Sequence, residues 1–262
     1  MIDQTRPAPD SPADAYPVDW LAAHLAEERK RVALLGDIRE VVFGTQDGLV
    51  SILTVVATVA GATLTTFPIL VAGVAAGLAG VFSMAAGEYI SSKSQRELFE
   101  AQIAGEVREV AERPGEAEAE VAFLLAADGL PAEDARLIAG VLARYPGVLT
   151  RTMVEKELGL AVEDKSGPPL QGAVLMGTAF GAGAVLPLLP FLLLPVRSAL
   201  VVAVVLAGVA LFGVGVAKSR WTERAWARSG LEVLALGACA GIAGYLFGTA
   251  LPGLLGLAGV GA

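Results

Sequence analysis

Residues 48–87 carry no charged side chain, forty positions in a row. A run of that length is twice the roughly 20 residues a helix needs to cross a bilayer. In lipid every backbone donor and acceptor must be satisfied internally, so the run can only form helices or part of a closed barrel. It is interrupted near its middle by GATLTTFP, residues 61–68, where the proline and the polar cluster mark a tight turn. The pattern predicts two antiparallel helices, span 1 over 41–62 and span 2 over 67–90. Further apolar runs occupy 170–190, 197–217 and 230–250, the first expected to stop at the prolines Pro187, Pro190 and Pro195. The expected fold is an all-α polytopic membrane protein with five transmembrane helices and a helical insertion between spans 2 and 3.

Composition agrees and removes other classes. Of 262 residues 55% are hydrophobic and 18% charged, with mean hydropathy +0.63, whereas soluble domains carry about a quarter charged residues. The net charge of −8 and pI near 4.8 argue against nucleic acid, which requires a basic surface. The single cysteine, Cys239, lies in an apolar run, so the chain has no internal disulfide and no thiolate zinc site.

The ends and the insertion are different in kind. Residues 1–18, rich in Pro, Asp and Ala, read as a disordered tail, and 251–262 as a short C-terminal tail. Between 19 and 40, WLAAHLAEERKRVALLGDIRE reads as an amphipathic helix on the membrane surface, with the lone histidine, His24, at its polar face. Spans 1 and 2 fill 41–90, a polar domain 91–169, and spans 3 to 5 the stretch 170–250. Within residues 91–166 lie fifteen acidic and nine basic residues. The acids recur at helical spacing: Glu106, Glu109 and Glu112, then Glu116, Glu118 and Glu120, then Glu155 and Glu157. Carboxylates three or four apart on a helix share a face and repel. Such a cluster is either a solvated helical face or a cation site.

Lysine and arginine set the orientation, because cytoplasmic flanks collect them. Arg29, Lys30, Arg31 and Arg39 precede span 1, and Lys218, Arg220, Arg224 and Arg228 separate spans 4 and 5, while the opposite loops hold only Arg197. The N-terminus and residues 91–169 are therefore expected in the cytoplasm. Asp47 then lies about two turns into span 1, at the depth of Met84 and Glu88 in span 2. Carboxylates inside a membrane are costly and mark ion or proton paths. Gly73 and Gly77, and Gly237 and Gly241, form GxxxG pairs that allow close helix approach.

The stretches REVVFGTQDGLVS and FSMAAGEYISSKSQ, followed by the acidic insertion ending TMVEKELGL and three more spans, resemble the vacuolar iron transporter family. The resemblance runs from about residue 33 to 250. It implies five spans per subunit, a homodimer with the path at the subunit interface, a cytoplasmic three-helix metal-binding domain, and exchange of ferrous iron or manganese against protons. Carried over by position, it assigns the membrane path to Asp47 and Met84 and the cytoplasmic metal site to Glu106, Glu109, Glu120, Met153 and Glu157. The sequence departs from the plant pattern at Ala76, Ala117 and Val154; Glu88 is the candidate replacement for the first acid, and Glu116 or Glu118 for the second.

Carboxylate oxygens suit divalent first-row metals, and a thioether biases a site toward softer ions such as Fe2+ over magnesium or calcium. The expected function is a proton-coupled transporter moving Fe2+ or Mn2+ out of the cytoplasm, with Zn2+ or Co2+ as surrogates. The bilayer, protons and a second subunit are its partners, and a bacterial plasma membrane its location. The alternative is a membrane-anchored iron buffer or sensor. An enzyme of the di-iron oxidase kind is disfavoured because its bundle uses Glu-x-x-His motifs and the one histidine is His24.

Overall fold

The computed structural model describes residues 16–157, 159, 168–222 and 224–254. Among these the regular elements are helices: α1 Val18–Ala62, α2 Thr66–Glu112, α3 Pro114–Ala127, α4 Ala132–Leu142, α5 Pro146–Lys156, α6 Pro169–Leu193, α7 Val196–Thr222 and α8 Trp226–Leu254. Five of them, α1, α2, α6, α7 and α8, are long and apolar enough to cross a membrane. The protein is a multi-pass integral membrane protein. The tails expected over 1–18 and 251–262 lie largely outside the described residues, although α1 opens at Val18 and α8 runs to Leu254. The chain divides into two compact units, Met1–Phe82 with Leu175–Ala262, and Ser83–Val174.

In the first unit α1 packs against α7 and α8, which also pack on each other. Its buried stripe is Leu49, Ile52, Leu53, Val56, Ala57 and Ala60, a helical spacing that turns one face inward. Close approach to α6 depends on missing side chains. A Cβ on Gly48 would lie 2.2 Å from the Phe180 carbonyl oxygen, and one on Gly183 would lie 2.4 Å from that of Thr45, so both sides of the crossing require glycine. The GxxxG pairs read from the sequence serve packing inside the chain. Gly73 and Gly77 face Leu188 and Ala184 of α6, and Gly237 and Gly241 face Leu211 and Leu53.

Two boundaries differ from expectation. The amphipathic segment over 19–40 is the first half of α1, with no break at residue 40. Its Ala, Leu, Glu, Arg and Lys are strong helix formers, so the change from polar to apolar composition alters the environment without ending the helix. The 45 residues of α1 span about 68 Å at 1.5 Å per residue, and every residue from 18 to 32 is exposed. Of the prolines expected to end span 3, Pro187 and Pro190 lie inside α6, which continues to Leu193 and stops just before Pro195. Within a membrane, neighbouring helices re-satisfy the freed carbonyls and hold such helices together.

The second unit continues α2 and adds α3, α4 and α5, each opening at or just after a proline: Pro114, Pro131 and Pro146. The α3 helix ends at Gly129, whose φ of +106° accompanies a bond from the Leu130 N–H to the Leu125 carbonyl at 3.2 Å. Val110, Ala117, Val121, Leu125, Ala135, Ala139, Leu149 and Met153 form its core. An ion pair between Lys156 and Asp128 ties the end of α5 to the end of α3.

Candidate metal site

Beyond the charge-free stretch, α2 runs on to Glu112 and carries Glu106 and Glu109 on adjacent positions of one face. The pair Arg113 and Pro114 forces a corner, since proline disfavours helical backbone in the residue before it; Arg113 sits there at φ −134° and ψ 56°. The first turns of α3 thereby bring Glu116 and Glu120, four apart, back toward the acids of α2. Carboxylate oxygens of Glu109, Glu116 and Glu120 all lie within 4.8 Å of one another. Glu157 follows as the C-cap of α5.

Arg113 straddles the corner, with Nη1 2.7 Å from Glu116 and Nη2 3.6 Å from Glu109. Being exposed, this pairing contributes little stability. Glu106 is only 8% exposed, and its Oε2 is buried without a hydrogen-bond partner. Burial pushes the Glu106 carboxyl above the ordinary range, and the Glu157, Glu109 and Glu120 carboxylates push it further. Glu120 is raised likewise, by burial and then by Glu109, Glu157 and Glu116, with Arg113 opposing. Five carboxylates from three helices thus share one electrostatic environment, and an orphaned buried oxygen sits among them. A divalent cation placed there would supply both the missing charge and the missing ligand contact.

Of the residues expected at this site, Glu106, Glu109, Glu120 and Glu157 are electrostatically coupled. Met153 is fully buried in the core of the second unit, one turn before Glu157 on the same face of α5. Glu116 joins the cluster, whereas Glu118 lies against α4, its Oε1 3.3 Å from where a Cβ on Gly140 would stand. Ala117 between them is fully buried. The sequence leaves Glu116 and Glu118 open, and the direction in which α3 leaves the Arg113 corner brings Glu116 to the cluster.

The membrane candidates fall in both units. Asp47 belongs to the first, half-buried on α1, and its Oδ1 accepts a hydrogen bond from the Ser51 hydroxyl at 3.1 Å. Met84 and Glu88 belong to the second, both half-buried on α2 and one turn apart. Glu88 Oε1 accepts from the Ser92 hydroxyl at 2.5 Å. Each acid therefore has one serine partner four residues on, and most of its hydrogen-bonding capacity remains available for an ion.

The sequence profile of the VIT family matches residues 38–249. The chain belongs to the VIT family. Relatives include vacuolar iron transporter 1 of Eucalyptus grandis, 31% identical over 209 residues that cover 79% of this chain and 84% of the relative. Vacuolar iron transporter 1 of Arabidopsis thaliana is 32% identical, with 79% and 83% covered. The vacuolar iron transporter of Plasmodium falciparum is 26% identical over 225 residues, with 82% of each covered. The family match spans the acidic cluster and all the membrane candidates. It begins at residue 38, so the exposed first half of α1 lies before it.

Proposed function

We propose that this VIT-family chain is a proton-coupled transporter that moves ferrous iron or manganese out of the cytoplasm. The metal is captured by Glu106, Glu109, Glu116, Glu120 and Glu157 and then passed to the transport-path residues Asp47, Met84 and Glu88 of a homodimer. The observation that carries this reading is the buried, unpartnered oxygen of Glu106 within a carboxylate cluster, in a chain whose relatives are named vacuolar iron transporters. A cluster of this kind is unfavourable when empty and favourable around a divalent ion. Met153, beneath Glu157, offers a thioether from the core side, which favours Fe2+ over hard cations. In the membrane layer Asp47 exchanges metal for a proton, and each translocated ion is thereby balanced by protons moving the other way. The cations flanking α1 and joining α7 to α8 support a cytoplasmic location for the N-terminus and residues 91–169.

The test is metal flux into proteoliposomes with and without a pH gradient. Flux is expected to rise with the gradient. Asp47→Asn, which keeps size and hydrogen bonding but removes the titratable charge, is expected to abolish it while metal binding at the acidic cluster persists. Wild-type flux with intact proton coupling in Asp47→Asn would remove Asp47 from the path.

A further inference from the structure

Two hollows in the first unit share residues at the end of the bundle that carries the α1–α2 and α6–α7 connections. The outer, about 860 Å³, is lined by residues 60–65 together with Arg197 of α7 and Tyr245 of α8. The inner, about 440 Å³, is lined by Leu53 of α1, Val201 and Val204 of α7, and Gly237 and Gly241 of α8. Leu200 and Tyr245 border both. The two therefore form one groove with a polar mouth and an apolar slot. From Arg197 to Val205 the slot descends about 12 Å along α7.

The mouth is cationic without a counter-charge. Arg197 is the only lysine or arginine lining either hollow, and among the described residues no carboxylate pairs with it. It stands in the first turn of α7, where the helix dipole is already positive and a further cation is disfavoured unless an anion faces it. Beside it the Thr63 and Thr65 hydroxyls are 2.8 Å apart. Tyr245, with a polar tip and an apolar body, sits where mouth gives way to slot, as aromatic residues do at membrane interfaces. The slot offers no polar side chain below Tyr245.

We propose that this groove binds an anionic phospholipid, its phosphate held by Arg197 beside the Thr63 and Thr65 hydroxyls and one acyl chain lying in the slot between α7 and α8. A guanidinium pairs with phosphate through two parallel hydrogen bonds, and a choline headgroup would bring a second cation beside Arg197, so the mouth favours a lipid of net negative charge. The slot, open toward hydrocarbon and floored by the glycines of α8, supplies length without polar contacts.

Native mass spectrometry of the full-length protein in neutral detergent, loaded with equal phosphatidylglycerol and phosphatidylcholine, tests this. Retention is expected to favour phosphatidylglycerol about fivefold, the effect of one cation near a phosphate. Arg197→Gln is expected to erase the preference and Arg197→Lys to keep it. Val201 is 64% exposed, so Val201→Trp fits without repacking and is expected to lower retention of both lipids by blocking the slot. Soluble glycerol phosphate is expected to leave the bound lipid in place. Equal retention of the two lipids by the wild type, a preference that survives Arg197→Gln, or displacement by glycerol phosphate overturns the proposal. So does a groove that retains no lipid because residues 255–262 or a second copy fill it. If Arg197→Gln fails to fold, the wild-type ratio and the glycerol phosphate arm decide.

Discussion

Glu106 sits where folding stability alone would not put a carboxylate. Its carboxylate is buried, one oxygen makes no hydrogen bond, and its neighbours are like-charged. In the absence of metal every one of those conditions raises the energy of the folded protein. Glu106→Gln removes the charge and adds a donor facing carboxylates. Calorimetry is expected to show Mn2+ affinity down by about tenfold or more, while thermal unfolding of the metal-free variant at neutral pH moves up; a variant that binds metal normally would make the cluster a solvated face. The geometry also separates two neighbours. Glu116→Ala is expected to weaken Mn2+ binding comparably and Glu118→Ala to leave it unchanged, because Glu118 lies against α4. In the membrane, Met84→Leu keeps volume and removes only sulfur. Competition flux is expected to fall more for Fe2+ than for the harder Mn2+, and equal losses would mean that the sulfur is packing.

At the scale of elements, the α1–α6 crossing is the most sensitive contact, because two backbones meet there without intervening side chains. Gly48→Val places two methyl groups where the Phe180 carbonyl stands. Overpacking of this kind costs about 1–3 kcal/mol, so a lowered thermal midpoint and reduced yield are expected, and an unchanged midpoint would show that the crossing can open. Much of this level was legible in the sequence. The five spanning helices and the turn between α1 and α2 follow from charge-free length and the GATLTTFP break. Where one helix stops was less legible. The sequence changes environment at residue 40 and again near 90, but α1 and α2 continue through both points, because a helix ends through caps, glycine or proline and not through a change of polarity. The prolines of α6 misled in the opposite sense, since their helix-breaking tendency is muted within a bundle in lipid. The resemblance groups Glu106, Glu109, Glu120 and Glu157, and the structure places their carboxylates in one electrostatic environment. Glu116 was not chosen over Glu118 because that choice depends on the direction in which α3 leaves the Arg113 corner, which no local pattern encodes.

For the whole molecule, the proposed capture of metal by these carboxylates carries a pH dependence, and the raised carboxyls set its sign. Glu106 and Glu120 titrate above the ordinary value of 4.5 in the folded, metal-free protein. Between 4.5 and those raised values the folded state holds more protons than the unfolded chain, so stability there falls as pH rises. The metal-free protein is therefore expected to gain stability on acidification from neutral pH until the ordinary carboxylate range is reached. Metal reverses the preference, because a divalent ion favours the ionised carboxylates and competes with the protons. At about one hundred times its dissociation constant a bound ion adds about 2.7 kcal/mol, and this increment is greatest at neutral pH. It should shrink as pH falls through the raised carboxyl values, where protons displace the metal. Thermal unfolding of the full chain in detergent, with and without Mn2+ from pH 7.5 down to about 5, reads both effects at once. The expected curves converge as pH falls, the metal-free one rising and the metal-loaded one losing its advantage, and Glu106→Gln with Glu120→Gln should flatten the metal-free curve. A Mn2+ increment independent of pH would mean that the ion binds away from these carboxylates. In the proposed transport cycle, release of the metal for onward passage would then have no proton-driven step at the acidic cluster, and the whole of the coupling would fall to Asp47.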